Sequence, residues 1–327
     1  MKKTSCTLVL LISIIIISIA GCSNNAGSSS EGTANVFFSV ARTDTFIELL
    51  VSAAEKAAGE QGVKIEIANA ENNIENQVSQ LKEATKSGKY DAIICILVDA
   101  DTTVEIKAVT EGIPIVFLNS CPEEDLLEQG QYVYVGSDEK VAGQYQVEYV
   151  LEKLASKNEL NVVLLKGPPI HPSAIERTTA VKNTFIDSGK KVNYVFLDAA
   201  DWEVEKAKNM FLTFLKTKQP YDCVICNNDD MAIGVIEACK EENIDLSNIP
   251  ILGVDATQRG CEAIQAGDMA FTVYQLASGQ GEMAVKVAAA LGNGKDTKGI
   301  EGATENGKYV WVPFEKVDKS NVSKYMK

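Results

Sequence analysis

Histidine is nearly missing from this 327-residue chain: His171 is the single copy. One imidazole cannot build a multi-histidine metal centre, and no nucleophile stands at a fixed spacing from it. No Gly-x-Ser-x-Gly elbow occurs, so serine-hydrolase chemistry has no support. No Gly-x-Gly-x-x-Gly follows the first apolar run, which argues against a dinucleotide enzyme. The stretch Gly302 to Lys308 imitates a phosphate loop until Tyr309 stands where Ser or Thr is needed, and it does not join a strand to a helix. Basic residues are outnumbered, 31 Lys and Arg against 45 Asp and Glu. So acidic a body is a poor partner for nucleic acid, whose phosphates require clustered cations. There is no proline-rich tract and no residue-level internal repeat.

What is present starts with a leader. Lys2 and Lys3 precede an apolar stretch from Leu8 to Ala20, too short to span a bilayer comfortably and of the length of a secretory signal core. It ends Ile19-Ala20-Gly21-Cys22, followed by a Ser-, Gly- and Asn-rich run to Ala34. This resembles the lipobox of bacterial lipoproteins, in which the cysteine is lipidated and a flexible tether follows. Residues 1–21 are therefore expected as the signal, Cys22 as the lipid anchor to the cell membrane and 22–34 as the tether. Loss of Lys2 and Lys3 takes the formal charge from −14 to −16. Six cysteines remain in the body. Cys95, Cys223 and Cys226 lie in apolar runs, where free Cys behaves as a small hydrophobe. Mostly free thiols are expected, and Cys223-x-x-Cys226 is not read as a metal or redox pair.

From Val36 onward short β-rich runs alternate with helical spacing, which predicts βα units and parallel sheets. The fold class is α/β: two doubly wound parallel-sheet lobes joined by a hinge of three segments. The first lobe is assigned to 35–137 plus 276–310, the second to 138–275 plus 311–327, with crossings near Ser137, Gln275 and Val310. In such sheets the ligand crevice lies beyond the carboxyl ends of the strands. Asp44 with Phe46, Asn119, His171 with Arg177, Trp202, Asn228 and Asp255 all fall at those ends. Short acids and amides, one Arg and two large aromatics suit a neutral polyhydroxylated molecule, whose hydroxyls need donors and acceptors and whose C–H faces need flat apolar surfaces. Asp229 and Asp230 open a helix and are read as dipole-favoured acids.

The stretch Leu164-Leu165-Lys166-Gly167-Pro168-Pro169-Ile170-His171-Pro172-Ser173-Ala174-Ile175-Glu176-Arg177-Thr178-Thr179 resembles the corresponding segment of the glucose/galactose-binding proteins, the type I periplasmic-type solute receptors related to ribose-binding protein. Further matching segments are Val116 to Asn119, Tyr134 to Asp138, Asn227 to Ala232, Gly253 to Ala256, and Val312-Pro313 with Val317 to Lys319. The similarity covers the body from about Val36 onward. It implies a monosaccharide gripped between two lobes, with Phe46 and Trp202 as stacking faces. Asp44 and Asn119 would hold hydroxyls from the first lobe, and His171, Arg177, Asn228 and Asp255 from the second. The charge of Arg177 suits the acids Asp44 and Asp255. Two positions depart from the galactose/glucose receptors: Ser173 stands where they have an acid, and Gln275 where they have Asn. The family's calcium loop has no counterpart between Ala155 and Val162, so no metal is expected, and no cofactor.

The resemblance implies an extracytoplasmic, lipid-anchored monomer that delivers a sugar, with a glucose/galactose-type hexose first, to the permease of an ABC importer. A pentose, an inositol or a nucleoside is the alternative ligand. A sensory receptor reporting to a chemoreceptor or sensor kinase is the alternative role, and an enzyme acting on a sugar is the third class.

Overall fold

The computed structural model describes residues 33–326; the leader and Cys22 lie outside the described residues. The first half runs β1 (Asn35–Val40), α1 (Thr45–Gln61), β2 (Lys64–Asn69), α2 (Ile74–Ser87), β3 (Ala92–Cys95), α3 (Thr103–Val109), β4 (Ile115–Leu118) and β5 (Tyr132–Gly136). The second half runs α4 (Glu139–Lys153), β6 (Glu159–Lys166), α5 (Pro172–Asp187), β7 (Lys191–Ala199), α6 (Val204–Lys216), β8 (Cys223–Cys226), α7 (Asp229–Glu241), β9 (Ile251–Leu252), α8 (Gln258–Ala266) and β10 (Phe271–Gln275). The chain then returns to the first lobe as α9 (Ala277–Gly292) and β11 (Tyr309–Trp311), and ends in the second as β12 (Phe314–Asp318).

Two six-stranded sheets result, ordered β11-β5-β4-β3-β1-β2 and β12-β10-β9-β8-β6-β7. Every pairing in the first is parallel, as the alternating βα pattern predicts. In the second, β10 and β12 pair antiparallel. The third crossing lies a little later than the expected 310/311 boundary: β11 includes Trp311, which still pairs with Gly136 in the first sheet.

Central strands such as β3, β4 and β8 are buried on both faces, so their residues are uniformly apolar rather than alternating. Cys223 and Cys226 show the strand period: Cys223 joins the core on one face of the second sheet and Cys226 the core on the other. Both are free thiols, as are Cys95, Cys121, Cys239 and Cys261.

Glycines set two close helix contacts. A Cβ on Gly281 of α9 would lie 2.7 Å from the Ala53 side chain of α1, and one on Gly143 of α4 would lie 2.5 Å from the Arg177 carbonyl oxygen of α5. The second contact seats α4, which starts just past the first crossing, against the helix that carries Arg177.

Candidate functional site

Three residues of the cleft are helix N-caps, which fixes what each has left to offer. Asp44 caps α1 by accepting from the Ile47 N–H at 2.9 Å through Oδ1, while Oδ2 pairs with Arg42 Nε at 2.9 Å. Asn228 caps α7 by accepting from the Met231 N–H at 3.0 Å, so its amide NH2 stays free to donate. His171 caps α5 by accepting from the Ser173 N–H at 3.2 Å through Nδ1. The ring proton therefore sits on Nε2, and the imidazole is neutral. Burial, reinforced by Arg42 and Arg177, pushes its pKa down to about 3.

Backbone strain marks the same ends of the strands. Asn119 (φ 64°), Trp202 (φ 68°) and Asp255 (φ 114°) occupy the left-handed region without being glycine. Such conformations persist where the surroundings over-determine them. Asn119 is held by its N–H on the Val135 carbonyl and by Tyr134, whose hydroxyl donates to the Asn119 carbonyl. Asp255 is held by its N–H on the Val273 carbonyl at 2.7 Å. Gln146 of α4 donates to the Cys226 and Gly253 carbonyls at 2.8 and 3.0 Å, tying together the loops that present Asn228 and Asp255.

Arg177 is buried at the centre of the second-lobe wall. Its Nε donates to Glu139 Oε2 at 2.6 Å, Nη1 to the Asn227 carbonyl at 2.7 Å and Nη2 to Gln275 Oε1 at 3.1 Å. Asp255 lies 3.8 Å from Nη1. The expected pairing with Asp44 is corrected here: Asp44 is neutralised by Arg42, and the short partner of Arg177 is Glu139. The bond to Gln275 also fixes that amide, leaving Nε2 as a buried donor without a partner. Burial raises the pKa of Asp255 well above the usual carboxylate value, with Arg177 opposing and Asp229, Asp44 and Glu139 adding to the rise.

The indole of Trp202 packs edge-on to the His171 ring, with centroids 5.5 Å apart, and lies 5.9 Å from the Arg177 guanidinium. It rests against Gly167, where a Cβ would come within 2.1 Å of the ring. Its Nε1 is buried without a partner.

Asp44, Phe46, Asn119, His171, Ser173, Arg177, Trp202, Asn228, Asp255 and Gln275 all line one cavity of about 30 Å³, together with Arg42 and Ile47. The lobes meet at its mouth, where the Thr45 hydroxyl of the first donates to Asp230 Oδ2 of the second at 3.0 Å. Grooves of about 1000 and 570 Å³ flank it and share its lining residues. Sequence reasoning missed Arg42 and Glu139. Both had bland readings: Arg42 sits on a polar loop, and Glu139 is an acid in the first turn of a helix, where the dipole alone accounts for it. Among the described residues no group of three or more His, Cys, Asp or Glu is placed to hold a metal ion.

Lobes of this topology, closed over a cavity at the strand ends, define a class of two-lobed solute receptors. Residues 36–296 match the family described as "Periplasmic binding protein domain", and the chain belongs to that family, in the type I branch of the ribose-binding superfamily. It is 29% identical over 342 residues to the D-galactose/methyl-galactoside binding periplasmic protein of Haemophilus influenzae, covering the whole of both chains. It is 25% identical to a xylitol-binding protein of Mycolicibacterium smegmatis, over 86% of this chain and 79% of that one. Among solved structures, an ABC transporter solute binding protein from Bacillus halodurans C-125 with bound myo-inositol aligns with a TM-score of 0.80 at 28% identity, over 91% of this chain and 99% of that one.

Proposed function

We propose that the protein is the extracytoplasmic receptor of an ABC importer and captures one neutral polyhydroxylated ring between its lobes, with Cys22 as its lipid anchor. The observation that carries the reading is the lining of the central cavity. Phe46 from the first lobe and Trp202 from the second share it with acids, amides, a neutral histidine and an arginine. Two buried donors there, Gln275 Nε2 and Trp202 Nε1, have no protein partner. Hydroxyl oxygens of a ligand would satisfy them. Because side chains of both lobes meet around the cavity, entry requires the lobes to separate, and contact of a bound ring with both lobes then favours their approach over the open state.

A glucose/galactose-type hexose is the first ligand class. A cyclitol is the second, favoured by Ser173: a dual donor and acceptor there replaces the acid of the galactose/glucose receptors, and the relative from Bacillus halodurans holds myo-inositol. The test is a thermal-shift screen of the mature protein against D-glucose, D-galactose, myo-inositol, D-ribose, D-xylose and nucleosides. Ligand at about a hundred times its Kd adds roughly 2.7 kcal/mol, which raises Tm by several degrees in lobes of this size. No shift with any polyol overturns the reading, and a ligand recovered chemically altered replaces the receptor with an enzyme.

A further inference from the structure

Asp229 does not line the central cavity, yet its side chain is fully buried. It opens α7, where the dipole would account for an acid, but the cap itself is Asn228 and the Asp229 carboxylate turns to other partners. Oδ2 accepts from the Thr257 N–H at 2.8 Å and from the Thr257 hydroxyl at 3.1 Å, and Oδ1 accepts from the Thr272 hydroxyl at 2.6 Å. The space around it is fitted. A Cβ on Gly253 or on Gly260 would come within 2.2 Å of one of its oxygens.

Those partners bracket the strained turn at Asp255 (φ 114°) and Ala256 (φ 49°). The Asp229 N–H donates to the Val254 carbonyl at 2.8 Å, on the residue just before the turn. Thr272 Oγ1, having given its one proton to Asp229, accepts from the Ala256 N–H at 3.3 Å. Thr257 Oγ1, having done the same, accepts from the Gly260 N–H at 3.1 Å and starts α8. A carboxylate can only accept, so it sets the direction of both hydroxyls, and their lone pairs face the backbone N–H groups. We propose that Asp229 is a positioning residue for Asp255, holding through Thr272 and Thr257 the left-handed turn that sets Asp255 at the cavity. The inference rests on the binding role proposed for Asp255.

The experiment is a double-mutant cycle of Asp229→Asn and Asp255→Asn, read by calorimetric Kd for myo-inositol or D-galactose, whichever the wild type binds more tightly. It is run at pH 8, because burial raises the Asp229 carboxyl to about 7. Asparagine keeps the shape but replaces one of the two acceptor oxygens by an NH2, so one hydroxyl loses the acceptor that fixes its direction. Asp229→Asn is expected to weaken binding about tenfold in the wild-type background and to have little effect once Asp255 is Asn. Thr272→Val should repeat the loss with Asp229 intact, and Thr272→Ser should retain wild-type affinity; these two carry the test if Asp229→Asn fails to fold. Unchanged affinity in Asp229→Asn or Thr272→Val, or an equal loss in both Asp255 backgrounds, overturns the positioning role alone. A wild-type protein that binds no polyol overturns the binding reading and this inference with it.

Discussion

Thr45 and Asp230 join the lobes at the mouth of the cleft: the Thr45 hydroxyl, at the start of α1, donates to Asp230 Oδ2, at the start of α7, at 3.0 Å. The bond can exist only with the lobes together, so it contributes to the closed state and not to the open one. Thr45→Val keeps the shape and deletes the donor. Ligand affinity should fall by about two- to tenfold, the yield of one such bond, and the change should appear in the dissociation rate. Stopped-flow release of ligand checks this; an unchanged rate removes Thr45 from closure.

The approach of Gly167 to the indole makes a sharper prediction. In Gly167→Ala the new methyl occupies ring space, 2.1 Å from Trp202 Cζ2, so the indole must move into the cavity. Overpacking of this kind costs about 1–3 kcal/mol, and binding should weaken by at least about tenfold, with a shift in tryptophan emission. Wild-type affinity would show that the indole is not seated where a ligand meets it.

Glu139 and Arg177 form a buried pair at 2.6 Å, and removing one charge of such a pair costs about 3–5 kcal/mol. Glu139→Gln should therefore lower Tm by several degrees and loosen Arg177, Gln275 and the ligand together. Chemical denaturation and calorimetry on the one variant test both effects. A stability loss with wild-type affinity would confine Glu139 to folding.

His171 gives a pH signature. Folded, it stays neutral down to about pH 3; unfolded, it titrates near 6.5. The unfolded chain therefore binds the extra proton between those values, and the stability that neutral His171 contributes, fully present above 6.5, is lost as pH falls toward 3. Asp229 acts in the opposite sense. Its folded pKa of about 7 lies above the ordinary 3.8, so its ionisation costs stability near neutrality, and acidification relieves that. The wild-type profile contains both. His171→Asn, which keeps a capping acceptor, removes only the first, and its Tm should gain on wild type by several degrees between pH 7 and 4.5. A constant difference would mean that His171 titrates normally.

Much of the architecture could be read from residue order because central strands such as Ala92–Cys95 are short, continuous apolar runs between amphipathic helices. The strand ends that carry Asn119, Asn228 and Asp255 were legible for the same reason. Strand β12 was not, since Phe314–Asp318 mixes two buried residues with charged ones and reads as a polar tail. The supporting shell was hidden by a different cause. Glu139, Gln146, Asp229 and Gly167 are each ordinary in sequence: an acid or amide on a helix, a glycine in a loop. Their roles come from side-chain partners 28 to 107 positions away, which no local spacing encodes. Arg42 lay within reach, two residues before Asp44, but a loop cation carries no signal until its partner is known.

The most direct measurement is a crystal structure of the mature protein with the tightest-binding polyol of the thermal-shift screen. The expected result is one ring lying between Phe46 and Trp202, with hydroxyls on His171 Nε2, Gln275 Nε2 and the Asp255 carboxylate. A ring bound in either flanking groove, with the central cavity still closed, would contradict it.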